Sequence, residues 1–178
     1  MGRHRRQERR EDRGPGGGSQ ENRYQMKQKL VSIGQDSYIE DSTGKRAFHV
    51  DGKAMRVRDT LLFKDMQGQT LCKIQEKKLR VKDSMKIEDD SGNQLAMVKK
   101  AIITPVRDRW TVKIGNGPDL DVQGNIVDHE YKIEEGRTKI AEVSKKWFRV
   151  RDTYGVEIAQ GQNDIVILAI TVAIDMMR

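Results

Sequence analysis

The sequence predicts a mainly β protein, an antiparallel barrel of about a dozen strands closed around one C-terminal apolar segment. Three observations carry that prediction. The motif Asp-x-x-Gly occurs five times along the chain. A unit of two strands and a turn repeats at a spacing of 24 residues. The run Ile165–Ile174 is apolar on every side, so it needs protein all around it.

Composition sets the frame. With 178 residues the chain fits one domain. Hydrophobic residues make up 35% and charged residues 34%, so the core must be built economically. A half-solvated antiparallel sheet does this, because every second residue faces water. A helical bundle would want more Leu and Ala.

Residues 1–23 hold seven arginines against four acids, have no apolar residue after Met1, and include Gly14-Pro15-Gly16-Gly17-Gly18. Such a segment cannot bury enough surface to offset its ordering entropy and reads as a disordered tail, with the folded domain at 24–178. The net charge is +7, so the rest of the chain carries about four of those charges and is only mildly basic. Arginines stand where a signal peptide needs an apolar stretch, which predicts a cytoplasmic protein, peripheral at the membrane if it meets one. Cys72 is the only cysteine, so no internal disulfide and no cysteine-based zinc site is expected.

The strands follow from the turns. Asp-x-x-Gly occurs at Asp41–Gly44, Asp65–Gly68, Asp89–Gly92, Asp121–Gly124 and Asp152–Gly155. Asp at the first position bonds the backbone two residues on, and Gly at the fourth accepts the left-handed conformation that follows a type I turn. Flanked by apolar–polar alternation, all five read as hairpin turns. The repeat is deeper than its turns. Met55-Arg56-Val57-Arg58-Asp59-Thr60-Leu61 matches Leu79-Arg80-Val81-Lys82-Asp83-Ser84-Met85. The match runs on through Phe63/Ile87, Leu71/Leu95, Cys72/Ala96 and Ile74/Val98, with an echo at Phe148–Thr153. A period this short suits a meander rather than a propeller, whose blades need about 40 residues.

The C-terminal run Ile165–Ile174 is too short to span a bilayer, which takes about 20 residues, so no transmembrane span is expected. Its β-branched content favours a strand, while its length and the Asn163-Asp164 cap favour a helix. A helix here would be about 10–12 Å across with its side chains, and barrels of about eleven strands hold one.

Several segments resemble the LURP-one-related family: Val143-Ser144-Lys145-Lys146-Trp147-Phe148, Asp152-Thr153-Tyr154-Gly155-Val156, Asp164-Ile165 and Ala169–Asp175. Upstream, Ile39-Glu40-Asp41, Gly44, Ala47-Phe48 and Val50-Asp51-Gly52-Lys53 add to the likeness. The resemblance covers Tyr24 to Met177, and its specificity lies in the order and spacing of the set. It implies a tubby C-terminal-like fold, shared with phospholipid scramblases: a twelve-stranded closed barrel threaded by a helix at about 164–177. Ile165, Leu168, Ala169, Val172 and Met176 would be that helix's structural residues. Tubby domains bind phosphoinositide headgroups and scramblases act at lipid membranes, but no tubby-specific phosphoinositide motif maps onto this chain.

Catalytic signatures are missing: no Gly-x-Ser-x-Gly elbow, no phosphate-binding loop, no His-Glu-x-x-His. Gly115-Asn116-Gly117 is a turn, since Pro118-Asp119-Leu120 ends its likeness to a dinucleotide fingerprint. Glu88-Asp89-Asp90-Ser91-Gly92-Asn93 gathers oxygens without the ligand spacing of a calcium loop. His129, between Asp128 and Glu130, reads as a surface strand histidine, and Cys72 as a small hydrophobe. The chain is therefore expected to be no enzyme and to need no metal or cofactor.

The basic doublets Lys77-Lys78, Lys99-Lys100 and Lys145-Lys146 offer a convergent patch. Lys145, Lys146, Trp147, Arg149 and Arg151 are the candidate binding residues, for an anionic phospholipid surface or a protein partner. Rings beside lysines suit headgroup level, though packing of one ring on the central helix is the commoner use. Nucleic acid, held through the arginine tail, is the alternative partner.

Overall fold

The computed structural model describes residues 22–27, 36–52, 60–77, 84–100, 108–148 and 152–178. Twelve strands follow one another as a meander: β1 Asn22–Lys27, β2 Ser37–Asp41, β3 Arg46–Asp51, β4 Thr60–Asp65, β5 Thr70–Lys77, β6 Ser84–Glu88, β7 Gln94–Lys100, β8 Asp108–Ile114, β9 Leu120–Asn125, β10 Glu130–Glu135, β11 Thr138–Ser144 and β12 Thr153–Ile158. Every neighbouring pair is antiparallel, and β1 closes the barrel on β12 from Asn22↔Ile158 to Lys27↔Thr153. Closure leaves no unpaired sheet edge. β1 begins inside the segment read as tail because Asn22 and Arg23 find partners on Asp164 and Glu157.

The first three Asp-x-x-Gly motifs are the tight turns expected. In each, the Gly amide donates to the Asp carbonyl at 3.0–3.2 Å, with Gly44, Gly68 and Gly92 at φ 81°, 88° and 86°. The Asp carboxylates cap the turns, Asp41 accepting from Thr43 N and Asp65 from Gln67 N. Each turn follows a one-residue register shift, at Ile39/Glu40, Phe63/Lys64 and Ile87/Glu88. The 24-residue repeat is thus one bulged hairpin used twice over. Its paired positions Phe63/Ile87, Cys72/Ala96 and Ile74/Val98 are all buried.

The last two motifs are not turns. Asp121–Gly124 lies within β9, and Asp152 precedes β12 with Gly155 inside that strand. The chain turns instead at Gly115-Asn116-Gly117, as expected, and at Gly136-Arg137. Asp152 belongs to the other half of the repeat, the Asp-Thr/Ser step that opens a strand: Thr60, Ser84 and Thr153 start β4, β6 and β12 and are all buried.

The turn carboxylates give an acid-stability prediction. Hydrogen bonds from the Thr43 side chain and amide hold Asp41 below the usual carboxylate range, and bonds from the Asn93 side chain and amide do the same for Asp89. A carboxyl lowered in the folded state stabilises it above the unfolded value near about 3.9, and that contribution disappears as pH falls through the lower folded value. The double variant Asp41→Asn/Asp89→Asn should therefore lose less stability than the parent between pH 5 and pH 2, read from urea midpoints. Parallel losses would contradict it.

The C-terminal run is a helix, α1, spanning Asp164–Met177. Asn163 caps it by accepting from Val166 N at 3.2 Å. Every residue from Ile167 to Ile174 is buried, Leu168, Ala169 and Val172 among them, while Ile165 and Met176 pack partly buried against the same core. Thr171, the polar residue in that stretch, satisfies its hydroxyl by donating to Ile167 O at 3.0 Å. β-branched residues make poor isolated helices, so burial rather than propensity holds α1. Its N-terminal end is fixed to β1, where Tyr24 Oη and Asn22 Nδ2 donate to Asp164 at 2.6 and 2.7 Å. Burial and that bond push the Tyr24 phenol well above its ordinary value.

Candidate functional site

The candidate residues sit where β11 hands over to β12. β11 ends at Ser144, whose hydroxyl donates to Glu130 of β10 at 3.0 Å. The same carboxylate accepts from Lys145 N at 3.0 Å, and Ser144 Oγ accepts from Lys146 N at 3.1 Å. These bonds bend the chain and lay Trp147 and Phe148 back over Gly155 of β12. That strand is buried on both faces. Tyr154, Val156 and Ile158 point to the core, while Gly155 faces outward under the two rings. A Cβ at Gly155 would come within 2.6 Å of Trp147 Cε3 and of Phe148 Cε2, so only glycine admits this packing. Neither ring packs on the central helix, the commoner use expected for one of them. Both cover the outer wall.

Trp147 remains 37% exposed. The Arg23 guanidinium lies 5.8 Å from its ring centroid, a cation–π distance, while Arg23 Nε pairs with Glu157 at 2.5 Å. Glu157 is buried and Lys139 also approaches it, at 3.9 Å. Two exposed cations stand beside the ring: Arg23, and Lys146 as its chain neighbour. Lys146 reaches Glu130 at 3.4 Å yet keeps 81% of its side chain in solvent, and Lys145 lies 3.9 Å from Asp128. A hollow of about 170 Å³ opens between Arg23, Tyr24, Ser42, Trp147, Phe148 and Gly155. Arg149 and Arg151 lie outside the described residues, as do all the tail arginines that suggested nucleic acid except Arg23, which belongs to β1.

The other lysine doublets do not join this corner. Lys77 of β5 and Lys99 of β7 both pair with Ser84 of β6, and β5–β7 stand across the barrel from β12. Lys100 instead lies 5.6 Å from the Trp110 ring, and Lys78 is outside the described residues.

His129 is no surface residue. It sits in the β9–β10 turn, 1% exposed, at the left-handed φ of 53°. Nε2 lies 2.8 Å from Asp175 of α1, the ring stacks on Tyr154 at 4.1 Å, and Arg178 Nη1 approaches Nδ1 at 3.4 Å. Both ring nitrogens face partners within the fold, so the side chain holds the end of α1 and is not presented to a substrate. Burial, aided by the Asp175 charge, pushes the Tyr131 and Tyr154 phenols far up. Cys72 is buried as expected of a small hydrophobe, its thiol pushed up to about 12 by desolvation. Among the described residues no three His, Cys, Asp or Glu gather where they would hold a metal ion. Nor, among those residues, is any helix long and apolar enough to cross a membrane.

A closed barrel around a buried helix, carrying its exposed aromatic and cations on the outer wall, is a binding-type domain. The chain belongs to the LURP-one-related family, whose model matches residues 22–175. It is similar to an uncharacterised Bacillus subtilis (strain 168) protein, YxjI, at 26% identity over 152 residues, covering 85% of this chain and 91% of that one. The solved structure of the Arabidopsis thaliana protein AT5G01750 has the same fold, with a TM-score of 0.63 at 14% identity, covering 89% of this chain and 92% of that chain.

Proposed function

We propose that this domain is a non-enzymatic docking module that seats on anionic phospholipid surfaces through the corner formed by Arg23, Lys145, Lys146 and Trp147. The observation behind this reading is the indole held over Gly155 on the outer wall, partly exposed, with Arg23 at its ring and Lys146 next to it in the chain. An amphipathic ring of this kind is favoured at headgroup depth. Each cation near an acidic leaflet contributes about 1 kcal/mol. The acid nearest Arg23, Glu157, is buried against it, and Glu130 and Asp128 are each neutralised in part, by Lys146 and Lys145 respectively. By sequence, Arg149 and Arg151 extend the same cationic segment.

The test is vesicle flotation with and without acidic phospholipid, on the full chain and on a variant lacking residues 1–21. Acid-dependent flotation that survives the truncation is expected. Lys146→Glu changes the surface charge by two units and should weaken it by about thirtyfold, with Trp147→Ala also weakening it. Equal flotation on neutral vesicles, or none on either, sinks the lipid reading and leaves a protein partner for the same corner. Binding lost with residues 1–21 points to the arginine tail and a polyanion such as nucleic acid.

A further inference from the structure

The mouth of the barrel where α1 begins carries a second, chemically different opening. α1 lies nearest to β5, β6, β7 and β12. At its N-terminal end it stands off β8–β11, and a cleft of about 300 Å³ opens there. Its floor is Leu120, Ile140 and Ile167, all buried, and its sides are Leu95, Ile114 and Val166, which are partly exposed. The rim is polar: the amides of Gln94, Asn116 and Gln162, and the carboxylate of Glu135.

The charge of this cleft has one sign. Of the residues lining it, only Glu135 is charged; it is exposed and has no salt-bridge partner among the described residues. The nearby cation Lys113 is already paired with Asp119 at 2.8 Å. The same mouth of the barrel bears the turn carboxylates of Asp41, Asp65 and Asp89, and Asp164 in the first turn of α1, against the turn cations Lys45 and Arg137. An apolar floor under a polar rim whose one lining charge is the Glu135 carboxylate selects an apolar body with a positive head. A site of this volume holds about ten non-hydrogen atoms, taking about 30 Å³ for each.

We infer that this cleft is a binding site for a small amphiphilic amine, its apolar body on Leu120, Ile140 and Ile167 and its ammonium beside Glu135. The site is distinct from the Trp147 corner: it lies between the start of α1 and β7–β11, not over Gly155 of β12.

Two isosteric probes of opposite charge test it: 2-phenylethylammonium and phenylacetate, titrated into the full chain while isoleucine, leucine and valine methyl resonances are followed by NMR. The ammonium should shift the methyls of Ile114, Ile140, Val166 and Ile167 saturably, and phenylacetate should bind more weakly. Glu135→Gln, on an exposed strand end where it does not threaten folding, should weaken the ammonium by about threefold and leave phenylacetate no weaker. Ile114→Trp should abolish the shifts by filling the cleft; if that variant does not fold, Glu135→Gln decides alone. Phenylacetate binding as tightly as the ammonium, shifts confined to methyls elsewhere, or an unchanged ammonium affinity in Glu135→Gln would overturn the assignment.

Discussion

Leu168→Asp should leave the chain without a cooperative thermal transition. Leu168 is wholly buried at the centre of α1, inside a closed wall. Losing its packing costs about 2–5 kcal/mol, as leucine truncations in cores do. The new carboxyl must also stay protonated, because an isolated charge is not tolerated there. Keeping it protonated at neutral pH costs about a further 4 kcal/mol, at about 1.36 kcal/mol for each of the roughly three pH units above its usual value near 3.9. The sum is comparable with the whole stability of a domain, about 5–15 kcal/mol. Leu168→Met, which conserves volume, should cost under about 1.5 kcal/mol and serves as the control. A circular-dichroism melt of Leu168→Asp close to the parent's would mean that α1 does not thread the barrel.

The mutual dependence of helix and wall explains why so much of the fold was legible in the sequence. An apolar segment with no polar face requires an enclosing structure, and alternating strands joined by tight turns can supply one. The helix ends at Asn163 and Met177 could be read because the cap and the terminal polar residues bracket the run. The misread turns at Asp121 and Asp152 have a specific cause. Asp-x-x-Gly marks a turn only when the strands on both sides pair with each other. Gly124 sits mid-strand opposite Tyr131, and Gly155 is glycine because two rings cover it. Sequence periodicity carries no information about that second, steric reason.

The clustering of the candidate residues was legible in the sequence, but the geometry of their corner was not. Lys145, Lys146 and Trp147 are neighbours along the chain, so their clustering is local. Which way the indole faces is decided by Gly155, Glu130 and Arg23, all from other strands. The lysine doublets of β5 and β7 looked equivalent to Lys145-Lys146 until closure of the barrel set them on opposite sides. The sequence also carries a signal for His129. Asp175 follows eight consecutively buried helix residues, and a carboxylate in that position needs a partner. With three histidines in the chain, His129 was an available candidate.

That partnership is the basis of the second large effect. Arg178 Nη1 lies against Nδ1 of His129, so Nδ1 accepts and Nε2–H donates to Asp175 at 2.8 Å. Arg178 binds the same carboxylate at 2.9 Å and donates to Val127 O at 2.8 Å, which ties the helix end to the β9–β10 turn. The Asp175 side chain is only 4% exposed. His129→Ala removes one of its partners, removes the stack on Tyr154 and leaves a void, a loss of about 3–5 kcal/mol. Alanine also inherits the left-handed backbone at φ 53°, which disfavours it by about 1 kcal/mol. His129→Gly loses the same contacts but adopts that conformation freely, so it should be the more stable of the two by about that amount. This order reverses the usual one, in which glycine is the worse residue. Urea unfolding at pH 7 measures both differences. If His129→Ala unfolds within about 1 kcal/mol of the parent, the buried pair does not hold the helix end. If alanine is the more stable variant, the turn is not held in the left-handed conformation.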